Sequence, residues 1–565
     1  MQSGMVEVRP RALIEFATSK GNQGGRVAKS NCKSNIQKAV SLRRMFSSMV
    51  LLALLAAGTI SAQEAPTVLT TAGQLRGLAR AGGGAKFLGV PFAQPPVGDL
   101  RWREPLAAKS WSGVRDATAF GAPCAQPVLG DWNRHDAEAG KEDCLFLNVV
   151  TPVWPAKEKL PVMFWIHGGA NEGGTASAAL YNDGTLAQHG VIVVSINYRL
   201  GVFGFLAHPE LTRESPHHAS GNYGLMDQIL ALHWVIDNIA RFGGDAKNIT
   251  VFGQSAGSFD TGFLMTSLVK GSFQRAIQES GAPLSPEPAA LDKAEKAGEK
   301  FAAGVDAPAV GAIAFLRGMS APDLLKKLTA HEPHPRFGPD IDGWVIPQAP
   351  AAVFARGEES PIPLLFGTTQ REFGMEASPE RLKPIITGAF GDLAPRALAA
   401  YGIGNGADPK PDALYGTAAD QFAADMGFRC PATTEGAWHV AAHQPVYEYE
   451  LDHAIPGQEA QGAVHSSDLP YVFGYFPKSG NIAGSFGGVD LKLANLMESY
   501  WTNFAKTGNP NGAGLPDWPQ FGSAQAFIQF TQDGHVANAS KLRGAECDVY
   551  RDVLAERMKQ KPSGN

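Results

Sequence analysis

Asn248-Ile249-Thr250-Val251-Phe252-Gly253-Gln254-Ser255-Ala256-Gly257 is the stretch of sequence that decides the fold. Its β-branched and aromatic run, Ile249 to Phe252, predicts a buried strand. The run leads directly into Gly-x-Ser-x-Gly, and the sequence from Ser258 to Leu268 predicts a helix. A strand, a sharp turn and a helix are the setting in which this motif presents a nucleophilic serine at the end of a sheet. The motif alone is weak evidence, because a chain with 64 glycines contains such matches by chance.

The composition is that of a large globular α/β protein. The chain has 565 residues, of which 44% are hydrophobic and 18% are charged. This length suffices for several small domains or for one large α/β domain. No linker divides the mature chain, so residues 66–560 are predicted to form a single domain. The net charge of -5 gives no reason to propose a nucleic acid as partner.

Residues 1–62 are predicted to be an N-terminal extension followed by a signal peptide. Arg43-Arg44 precede a short apolar run at residues 50–60, and small residues follow up to Ala62. This is the order of regions in a secretory signal peptide, and the run is too short to anchor the mature protein in a bilayer. We therefore predict cleavage near Ala62, a secreted or periplasmic location and no stable membrane anchor. Alternatively, translation starts near Val40 or Met45.

The cysteine content agrees with export. The chain has five cysteines, and Cys32 would be lost with the extension. The remaining number is even, as expected for a disulfide-bonded protein. Spacing alone leaves three pairings open, and it also allows four free thiols in a cytosolic protein. The four cysteines are Cys124, Cys144, Cys430 and Cys547.

Predicted strands alternate with predicted helices along most of the chain. This alternation favours a large, mostly parallel sheet with helices on both faces. Residues 283–355 and 375–440 are predicted to be mostly helical or loop-like insertions that shape a substrate cleft. An early hairpin is predicted at 70–78. Further strands are predicted at 160–166, 190–197, 273–279, 363–369, 446–453 and 526–532, and helices at 224–239, 491–506 and 548–559.

A serine hydroxyl needs a base that takes its proton, and the base needs a carboxylate that orients it. Glu372 follows directly after the predicted strand at 363–369, where an orienting carboxylate is expected, although Glu376 and Asp425 compete for this role. His465 lies in the loop after the strand at 446–453. Position alone does not separate it from the other histidines, which are His331, His334, His439, His443, His453 and His535.

The negative charge of a tetrahedral intermediate requires backbone N–H groups that are already in place. One is expected from Ala256, the residue after the serine. The others are expected from a loop after an earlier strand, and His167-Gly168-Gly169-Ala170 is such a loop. Taken alone, the same four residues are compatible with an ordinary glycine turn.

Several further segments, in this order, resemble the type-B carboxylesterase/lipase family, which includes the cholinesterases. The resemblance extends from about Leu69 to the last predicted helix. The segments are Gly89-Val-Pro-Phe-Ala-Gln-Pro-Pro-Val-Gly98, Glu142-Asp-Cys-Leu-Phe-Leu-Asn148, Asn197-Tyr-Arg-Leu-Gly-Val-Phe-Gly204, Gly221-Asn-Tyr-Gly-Leu-Met-Asp-Gln228, Phe242-Gly-Gly-Asp245 and Trp501-Thr-Asn-Phe-Ala-Lys-Thr-Gly-Asn-Pro510.

The resemblance implies an α/β-hydrolase fold and a serine carboxylic-ester hydrolase that acts through an acyl-enzyme and needs no cofactor. It implies that Ser255 is the nucleophile, Glu372 the acid and His465 the base. The implied oxyanion donors are Gly169, Ala170 and Ala256. The implied disulfides are Cys124–Cys144 and Cys430–Cys547, and the implied structural ion pair is Arg101–Glu142.

The chain departs from the family pattern around the implied site. The glycine loop, commonly Gly-Gly-Gly-Phe, ends here in Ala170-Asn171, so that Asn171 is expected to add a polar group near the cleft. The acid, commonly in Asp-Glu-Gly, lies here in Arg371-Glu372-Phe373. Asp260, on the second turn of the nucleophile helix, is also unusual; it is expected to bind either the substrate or only a neighbouring side chain.

Two further departures look like an exchange. The residue before the nucleophile is usually Glu and here is Gln254, whereas the family's Gln-Ser-Gly is here Glu279-Ser280-Gly281. We hypothesise that Gln254 and Glu279 lie close together, so that the site keeps one buried carboxylate in a swapped position. The alternative is that the two changes are unrelated.

Trp132 resembles the tryptophan that stacks on choline in cholinesterases, but its loop differs in length and a lone tryptophan is more often a packing residue. No metal site is expected, because His331 and His334 have no third ligand at suitable spacing. The sequence thus predicts an enzyme acting on small-molecule esters. Alternatives are an interfacial lipase, whose activity would rise above the solubility limit of a long-chain ester, and a non-catalytic binding module, which would typically lack the serine.

Overall fold

The structure is a computed structural model that describes residues 65–330, 333–404 and 409–560. The expected signal peptide and Cys32 lie outside the described residues, and so does His331. In the part of the chain that is described, none of the helices combines the length and the apolar character needed to cross a membrane.

Most of the strands form one large central sheet. The strands are β1 (Thr67–Leu69), β2 (Gln74–Arg76), β3 (Leu78–Ala79), β4 (Ala85–Pro91), β5 (Val114–Asp116), β6 (Phe146–Thr151), β7 (Leu160–Ile166), β8 (Ile192–Ile196), β9 (Gly244–Gln254), β10 (Arg275–Glu279), β11 (Ala289–Ala290), β12 (Asp340–Ile341), β13 (Leu364–Thr369), β14 (Val446–Leu451), β15 (Ala526–Phe530) and β16 (Val536–Ser540). The strand order of the central sheet is β16-β15-β14-β13-β10-β9-β7-β8-β6-β4-β3.

The centre of this sheet is parallel and its two edges are antiparallel. Parallel pairing runs without interruption from β8 through β7, β9, β10, β13 and β14 to β15. The antiparallel pairs are β15–β16 at one edge, and β8–β6, β6–β4 and β4–β3 at the other. The predicted mostly parallel α/β sheet is therefore confirmed.

Helices cover both faces of the sheet and form both insertions. They are α1 (Arg134–Ala139), α2 (Ala179–Asn182), α3 (Gly201–Phe205), α4 (Pro209–Glu214), α5 (Tyr223–Asn238), α6 (Ala256–Thr266), α7 (Leu291–Gly304), α8 (Ala312–Arg317), α9 (Ala321–Leu328), α10 (Pro350–Ala355), α11 (Pro379–Phe390), α12 (Ala394–Ala400), α13 (Ala418–Ala424), α14 (Cys430–Ala441), α15 (Leu469–Phe473), α16 (Gly488–Thr507) and α17 (Gly544–Gln560). A π-helical turn, Asp425–Arg429, joins α13 to α14.

The sheet separates two buried apolar cores. Because successive side chains of a strand point to opposite faces, β9 contributes Val251 to one core and Phe252 to the other. The larger core packs against α5 and α6, and the smaller one packs against α16. A strand buried on both faces explains why its sequence is a continuous apolar run rather than an alternating one.

Several element boundaries differ from the sequence prediction, most clearly at β9 and at the early hairpin. β9 begins at Gly244 rather than Ile249, because Gly244 already pairs with Leu160 of β7, although the register is irregular before Ile249 pairs with Val162. The expected Gly-Gly-Asp turn therefore shrinks to Gly243, which has a φ of 89°. The early hairpin is formed by β1 and β2, and residues 70–73 are its turn rather than its first strand.

Covalent and ionic links match those that the resemblance implied. Disulfides join Cys124 to Cys144 and Cys430 to Cys547. The Arg101 guanidinium donates two hydrogen bonds of 2.6 Å to the two oxygens of Glu142, a bidentate pair with little exposure. Such charge-assisted forks fix geometry as well as adding stability.

Candidate active site

Ser255 lies in the tight turn between β9 and α6. Its φ of 55° and ψ of -125° are rare for a residue with a side chain, and strain of this kind is typical of functional sites. A Cβ added to Gly253 would lie 2.4 Å from the carbonyl carbon of Gly257, and one added to Gly257 would lie 2.0 Å from the oxygen of Ile166. Both glycines of the motif are therefore required by close backbone contact.

His465 and Glu372 are brought together by their loops. The N–H of Arg371 donates to the oxygen of Ala463 at 2.8 Å, which joins the loop after β13 to the loop after β14. As a result His465 Nδ1 forms a short hydrogen bond with Glu372 Oε2, and both side chains are buried. Since β14, β13, β10 and β9 are consecutive in the sheet, the pair and Ser255 occupy the same carboxyl edge, where α/β sheets bind ligands.

The Glu372 carboxylate is held in its charged form. Burial by itself would raise the pKa of Glu372, but the charge and hydrogen bond of His465 lower it, and the neighbouring Ser280 hydroxyl adds to this effect. The N–H of Thr369 also donates to Glu372 Oε1 at 2.8 Å. The net pKa lies below the ordinary value, so that the carboxylate can orient the imidazole and stabilise an imidazolium.

The other ring nitrogen of His465 faces the turn that holds Ser255. His465 Nε2 lies 3.2 Å from the amide nitrogen of Gln254, the residue before Ser255. Within the described residues the Ser255 hydroxyl forms no hydrogen bond. A neutral imidazole with its proton on Nδ1 satisfies both neighbours, because Nδ1 then donates to Glu372 and Nε2 accepts from Gln254.

The expected oxyanion loop follows β7. Gly169 has a φ of 113°, and the following residues Ala170 and Asn171 both have a φ of 57°. A Cβ on Gly168 would lie 2.6 Å from the backbone oxygen of Gln254, so only glycine allows this loop to approach the turn that holds Ser255. The third expected donor, Ala256, begins α6.

Asn171 does not add a polar group to the cleft, and that expectation was wrong. Its side chain turns inward and is buried, with Nδ2 donating to Asp260 Oδ1 at 2.9 Å. Asp260 is likewise buried, and Gln228 Nε2 donates to its second oxygen at 2.6 Å. Of the two expectations for Asp260, the structure therefore shows the contact with neighbouring side chains.

Gln254 and Glu279 are register partners on β9 and β10, and both are buried. Partners on adjacent parallel strands point to the same face, so the two side chains are neighbours. Trp501 Nε1 donates to Glu279 Oε1 at 2.7 Å. Burial, and then the charge of Asp468, raise the pKa of Glu279 well above its ordinary value. The next residue, Ser280, has a φ of 52° and donates its N–H to the oxygen of Gly367 at 2.8 Å.

Comparison with known proteins identifies the family of this chain. Residues 64–550 match the sequence model of the Carboxylesterase family. The chain belongs to the carboxylesterase family. It is 37% identical to a fumonisin B1 esterase of Sphingopyxis macrogoltabida over 77% of this chain and 81% of that protein. It is 32% identical to a liver carboxylesterase of Sus scrofa over 91% of this chain and 98% of that protein.

A solved structure titled PNB esterase has the same fold, with a TM-score of 0.74 and 32% sequence identity. The match covers 86% of this chain and 99% of that chain. The fold is therefore that of the α/β-hydrolases, and the chain is a carboxylic ester hydrolase.

Phenylalanine rings pack against His465 of this carboxylesterase. Their position beside the histidine was not predicted from the sequence. The ring centroid of Phe373 lies 4.2 Å from that of His465, and the centroid of Phe428 lies 5.0 Å from it. Phe373 is 59% exposed although it is a large apolar side chain beside a buried polar one. Phe259 packs behind Phe428, with centroids 6.3 Å apart. The departure Arg371-Glu372-Phe373 was the available signal for Phe373.

The loop closed by Cys124–Cys144 reaches the oxyanion loop. Gln126 exchanges two hydrogen bonds with the backbone of Gly174, at 2.9 and 2.8 Å. The Trp132 ring tip lies 3.3 Å from the Cβ position of Gly169, which brings this tryptophan to the cleft.

The part of the chain that the structure describes shows no metal site around His334. His334 Nε2 lies 3.7 Å from Oε1 of Glu172. Among the described residues no cluster of three or more His, Cys, Asp or Glu side chains could hold a metal ion.

Proposed function

We propose that this carboxylesterase uses Ser255, His465 and Glu372 as its catalytic triad, within a domain formed by residues 66–560. Ser255 Oγ attacks the ester carbonyl while His465 Nε2 takes its proton. The imidazolium then protonates the departing alcohol, and the acyl group stays on Ser255. Water attacks the acyl-enzyme with the same base, which releases the acid and restores the serine.

The observation that carries the proposal is the buried hydrogen bond between His465 Nδ1 and Glu372 Oε2. It turns the lone pair of Nε2 toward the turn that holds Ser255, since Gln254 Nε2 lies 3.2 Å from that nitrogen. Glu376 is exposed and therefore lacks the desolvated setting that makes a carboxylate an effective orienter. Asp425 is bound by two arginines, Arg429 and Arg543, and so it already serves a structural ion-pair cluster.

The backbone N–H groups of Gly169, Ala170 and Ala256 are proposed to bind the oxyanion of each tetrahedral intermediate. Support comes from the unusual conformation of the loop, in which Ala170 is exposed with a φ of 57°. A side chain in the left-handed region costs free energy, and such strain is kept where it serves a site. The conformation of the loop is fixed before substrate arrives, which is what makes oxyanion stabilisation effective.

We propose that the preferred substrates are small esters with an apolar or aromatic group next to the scissile bond. The exposed face of Phe373, beside His465, offers an apolar surface to such a group. An offset aromatic pair contributes about 0.5–1.5 kcal/mol beyond area burial. The partly exposed Trp132 at the oxyanion loop supplies a second aromatic surface, on which a choline group is one candidate ligand.

The protein is proposed to be exported to an oxidising compartment, either the periplasm or the cell exterior. Two disulfides link this chain, and stable disulfides are typical of secreted and periplasmic proteins. The signal-peptide pattern before Ala62 supports the same location.

A fluorophosphonate probe tests the proposed nucleophile. The wild type is expected to gain one probe mass on the peptide that carries Ser255, and Ser255→Ala is expected to gain none. Ser258→Ala is a matched control, because that hydroxyl is buried and donates to the oxygen of Gly281 at 2.8 Å. Labelling of a folded Ser255→Ala variant, or no labelling of the wild type, would overturn the proposal; the second outcome favours a non-catalytic binding module.

A panel of esters separates the remaining alternative. A carboxylesterase follows saturation kinetics on dissolved short-chain esters. An interfacial lipase shows a jump in rate once a long-chain ester exceeds its solubility limit. Such a jump, with little activity below the limit, would replace the proposed substrate class.

A further inference from the structure

The oxyanion loop contains two consecutive non-glycine residues in the left-handed region, Ala170 and Asn171. Neither residue favours this conformation strongly, although Asn tolerates it better than Ala does. Without contacts from other elements, the loop would relax toward other backbone conformations, and the N–H groups of Gly169 and Ala170 would change direction with it. The hydrogen bonds of Asn171 constrain the loop in its observed conformation.

The side-chain nitrogen, the side-chain oxygen and the backbone oxygen of Asn171 each have a hydrogen-bond partner. Its Nδ2 donates to Asp260 Oδ1 at 2.9 Å. Its Oδ1 lies 3.0 Å from the hydroxyl of Tyr198, which also contacts the oxygen of His167 at 2.9 Å. Its backbone oxygen accepts from the N–H of Gly201 at 2.6 Å. These bonds over-determine a conformation that the residue would not keep alone.

Asp260 connects this loop to the helix that begins at the nucleophile. It lies on α6, whose first residue, Ala256, is the third expected oxyanion donor. The Asp260 carboxylate therefore bonds to the element that carries Gly169 and Ala170 while being part of the element that carries Ala256. Its second oxygen accepts from Gln228 Nε2 at 2.6 Å, which attaches the same carboxylate to α5.

A carboxylate suits this position because both neighbours are amide N–H donors. Two acceptor oxygens satisfy Asn171 and Gln228 together, whereas an amide side chain would set its own donor against one of them. Burial raises the pKa of Asp260 to about 7, and the two amide donors oppose that rise. Asn171 and Asp260 are also two of the departures from the family pattern, and in the structure they contact one another.

We propose that Asp260 is a positioning residue of the oxyanion hole, which acts through Asn171 to fix the loop donors relative to Ala256. The inference rests on the proposed function, since it presupposes that these N–H groups stabilise the oxyanion. Asp260 itself touches no reacting atom. Its loss is expected to weaken binding of the transition state and to leave binding of the ground state nearly unchanged.

The test compares two inhibitors on Asp260→Ala, Asp260→Asn and the wild type. Ser255 Oγ adds reversibly to the carbonyl carbon of a trifluoromethyl ketone, and the carbonyl oxygen becomes an oxyanion. The corresponding secondary alcohol has no carbonyl and forms no oxyanion. In Asp260→Ala we expect kcat to fall roughly 10- to 100-fold, less than the ~10²–10³-fold loss on removal of a donor itself. The Ki of the ketone should rise by the same factor, with the Ki of the alcohol and KM within about 3-fold of the wild type. Asp260→Asn, which retains one acceptor, should recover part of the loss.

Glu435→Ala is the matched control. Glu435 is also fully buried and accepts from a glutamine, Gln278 Nε2, at 3.0 Å, but it lies on α14. Its variant is expected to lose stability while its ketone-to-alcohol Ki ratio stays that of the wild type. Equal changes in both Ki values of Asp260→Ala, or a kcat within 2-fold of the wild type, would overturn the proposal.

If Asp260→Ala does not fold, Asn171→Gly carries the test, because glycine tolerates the backbone conformation and removes the side-chain contacts with Asp260 and Tyr198. It should show the same selective rise in the Ki of the ketone, and the double variant Asn171→Gly/Asp260→Ala, where soluble, should be no worse than Asn171→Gly. Additive losses would overturn the proposal. A wild type that binds neither inhibitor and is not labelled by the fluorophosphonate would instead contradict the proposed function, so the two failures are distinguishable.

Discussion

Gln254 and Glu279 are register partners at the carboxyl ends of two adjacent parallel strands, β9 and β10. One side chain contacts the histidine of the proposed triad, and the other accepts a hydrogen bond from Trp501. The hypothesis of a swapped carboxylate required that the two be close, and their register satisfies this requirement. Whether the exchange is compensating stays a prediction.

A double-mutant cycle tests the exchange. Gln254→Glu alone would place two buried carboxylates side by side, so we expect it to lower the free energy of unfolding. The double variant Gln254→Glu/Glu279→Gln restores a single carboxylate and should recover most of that loss. Urea unfolding of the four proteins gives the coupling free energy. Losses that add within about 0.5 kcal/mol would show that the two positions are independent.

The amide of Gln254 should affect the acid limb of the pH–rate profile. The uncharged amide of Gln254 lies 3.2 Å from His465 Nε2, whereas a carboxylate placed there would stabilise an imidazolium in the variant. In Gln254→Glu we therefore expect the acid limb of kcat/KM to move to higher pH. The profile of Glu376→Gln, an exposed change, should stay in place. A limb that stays in place, or moves to lower pH, in Gln254→Glu would contradict this assignment.

Glu372→Gln should lower kcat by ~10³–10⁴-fold, because an amide cannot hold the imidazole in the required tautomer or stabilise its charge. The buried site loses a charge-assisted hydrogen bond as well, so a fall in stability is expected alongside. Glu376→Gln serves again as the comparison and should retain its kcat. If the two variants lost activity equally, the orienting role would belong elsewhere.

Phe373→Ala tests the proposed substrate class. We expect kcat/KM for benzyl butyrate to fall roughly 3- to 10-fold relative to ethyl butyrate, as expected from loss of an aromatic contact of about 0.5–1.5 kcal/mol. Phe315→Ala is the control, since Phe315 is a partly exposed phenylalanine on α8. An unchanged benzyl-to-ethyl ratio in Phe373→Ala would remove Phe373 from the binding surface.

Stability should depend on pH through Glu279. Its pKa is raised in the folded protein by burial and by Asp468, so the folded state holds its proton more tightly than the unfolded state. Its contribution is fully present below the unfolded pKa of about 4.3 and is lost as the pH rises through the raised folded value. Glu279→Gln keeps an acceptor for Trp501 and removes this loss, so its stability relative to wild type should be greater at pH 8 than at pH 5. A difference that does not vary with pH would contradict the raised pKa.

Much of the fold follows from local sequence. The apolar β-branched runs predicted the parallel strands from β7 to β15, because a strand buried on both faces needs such residues along its whole length. The polar first half of β9, from Gly244 to Asn248, carries no such signal. The strand begins this early because Gly244 pairs with Leu160 of β7, which is a tertiary effect that a local pattern cannot contain.

The candidate site was predicted by motif and the structure brings its members together, but its surroundings were not predicted. Asp260 and Asn171 are 89 residues apart, and no spacing rule joins them. No spacing rule predicts the contact between Phe428 and His465 either. The two rings are in contact because the π-helical turn places Phe428 beside the loop after β14. Contacts between distant loops depend on the packed fold, and the sequence offered only the departures from the family pattern as a guide to them.

The burial of the two disulfides has a consequence for anyone who manufactures this enzyme. All four of the paired cysteines are at most 2% exposed, so a dissolved oxidant reaches their sulfurs only when the chain opens locally or unfolds. Oxidation of a batch made in a reducing host is therefore expected to be slow under native conditions. Expression in an oxidising compartment forms the crosslinks while the chain is still folding.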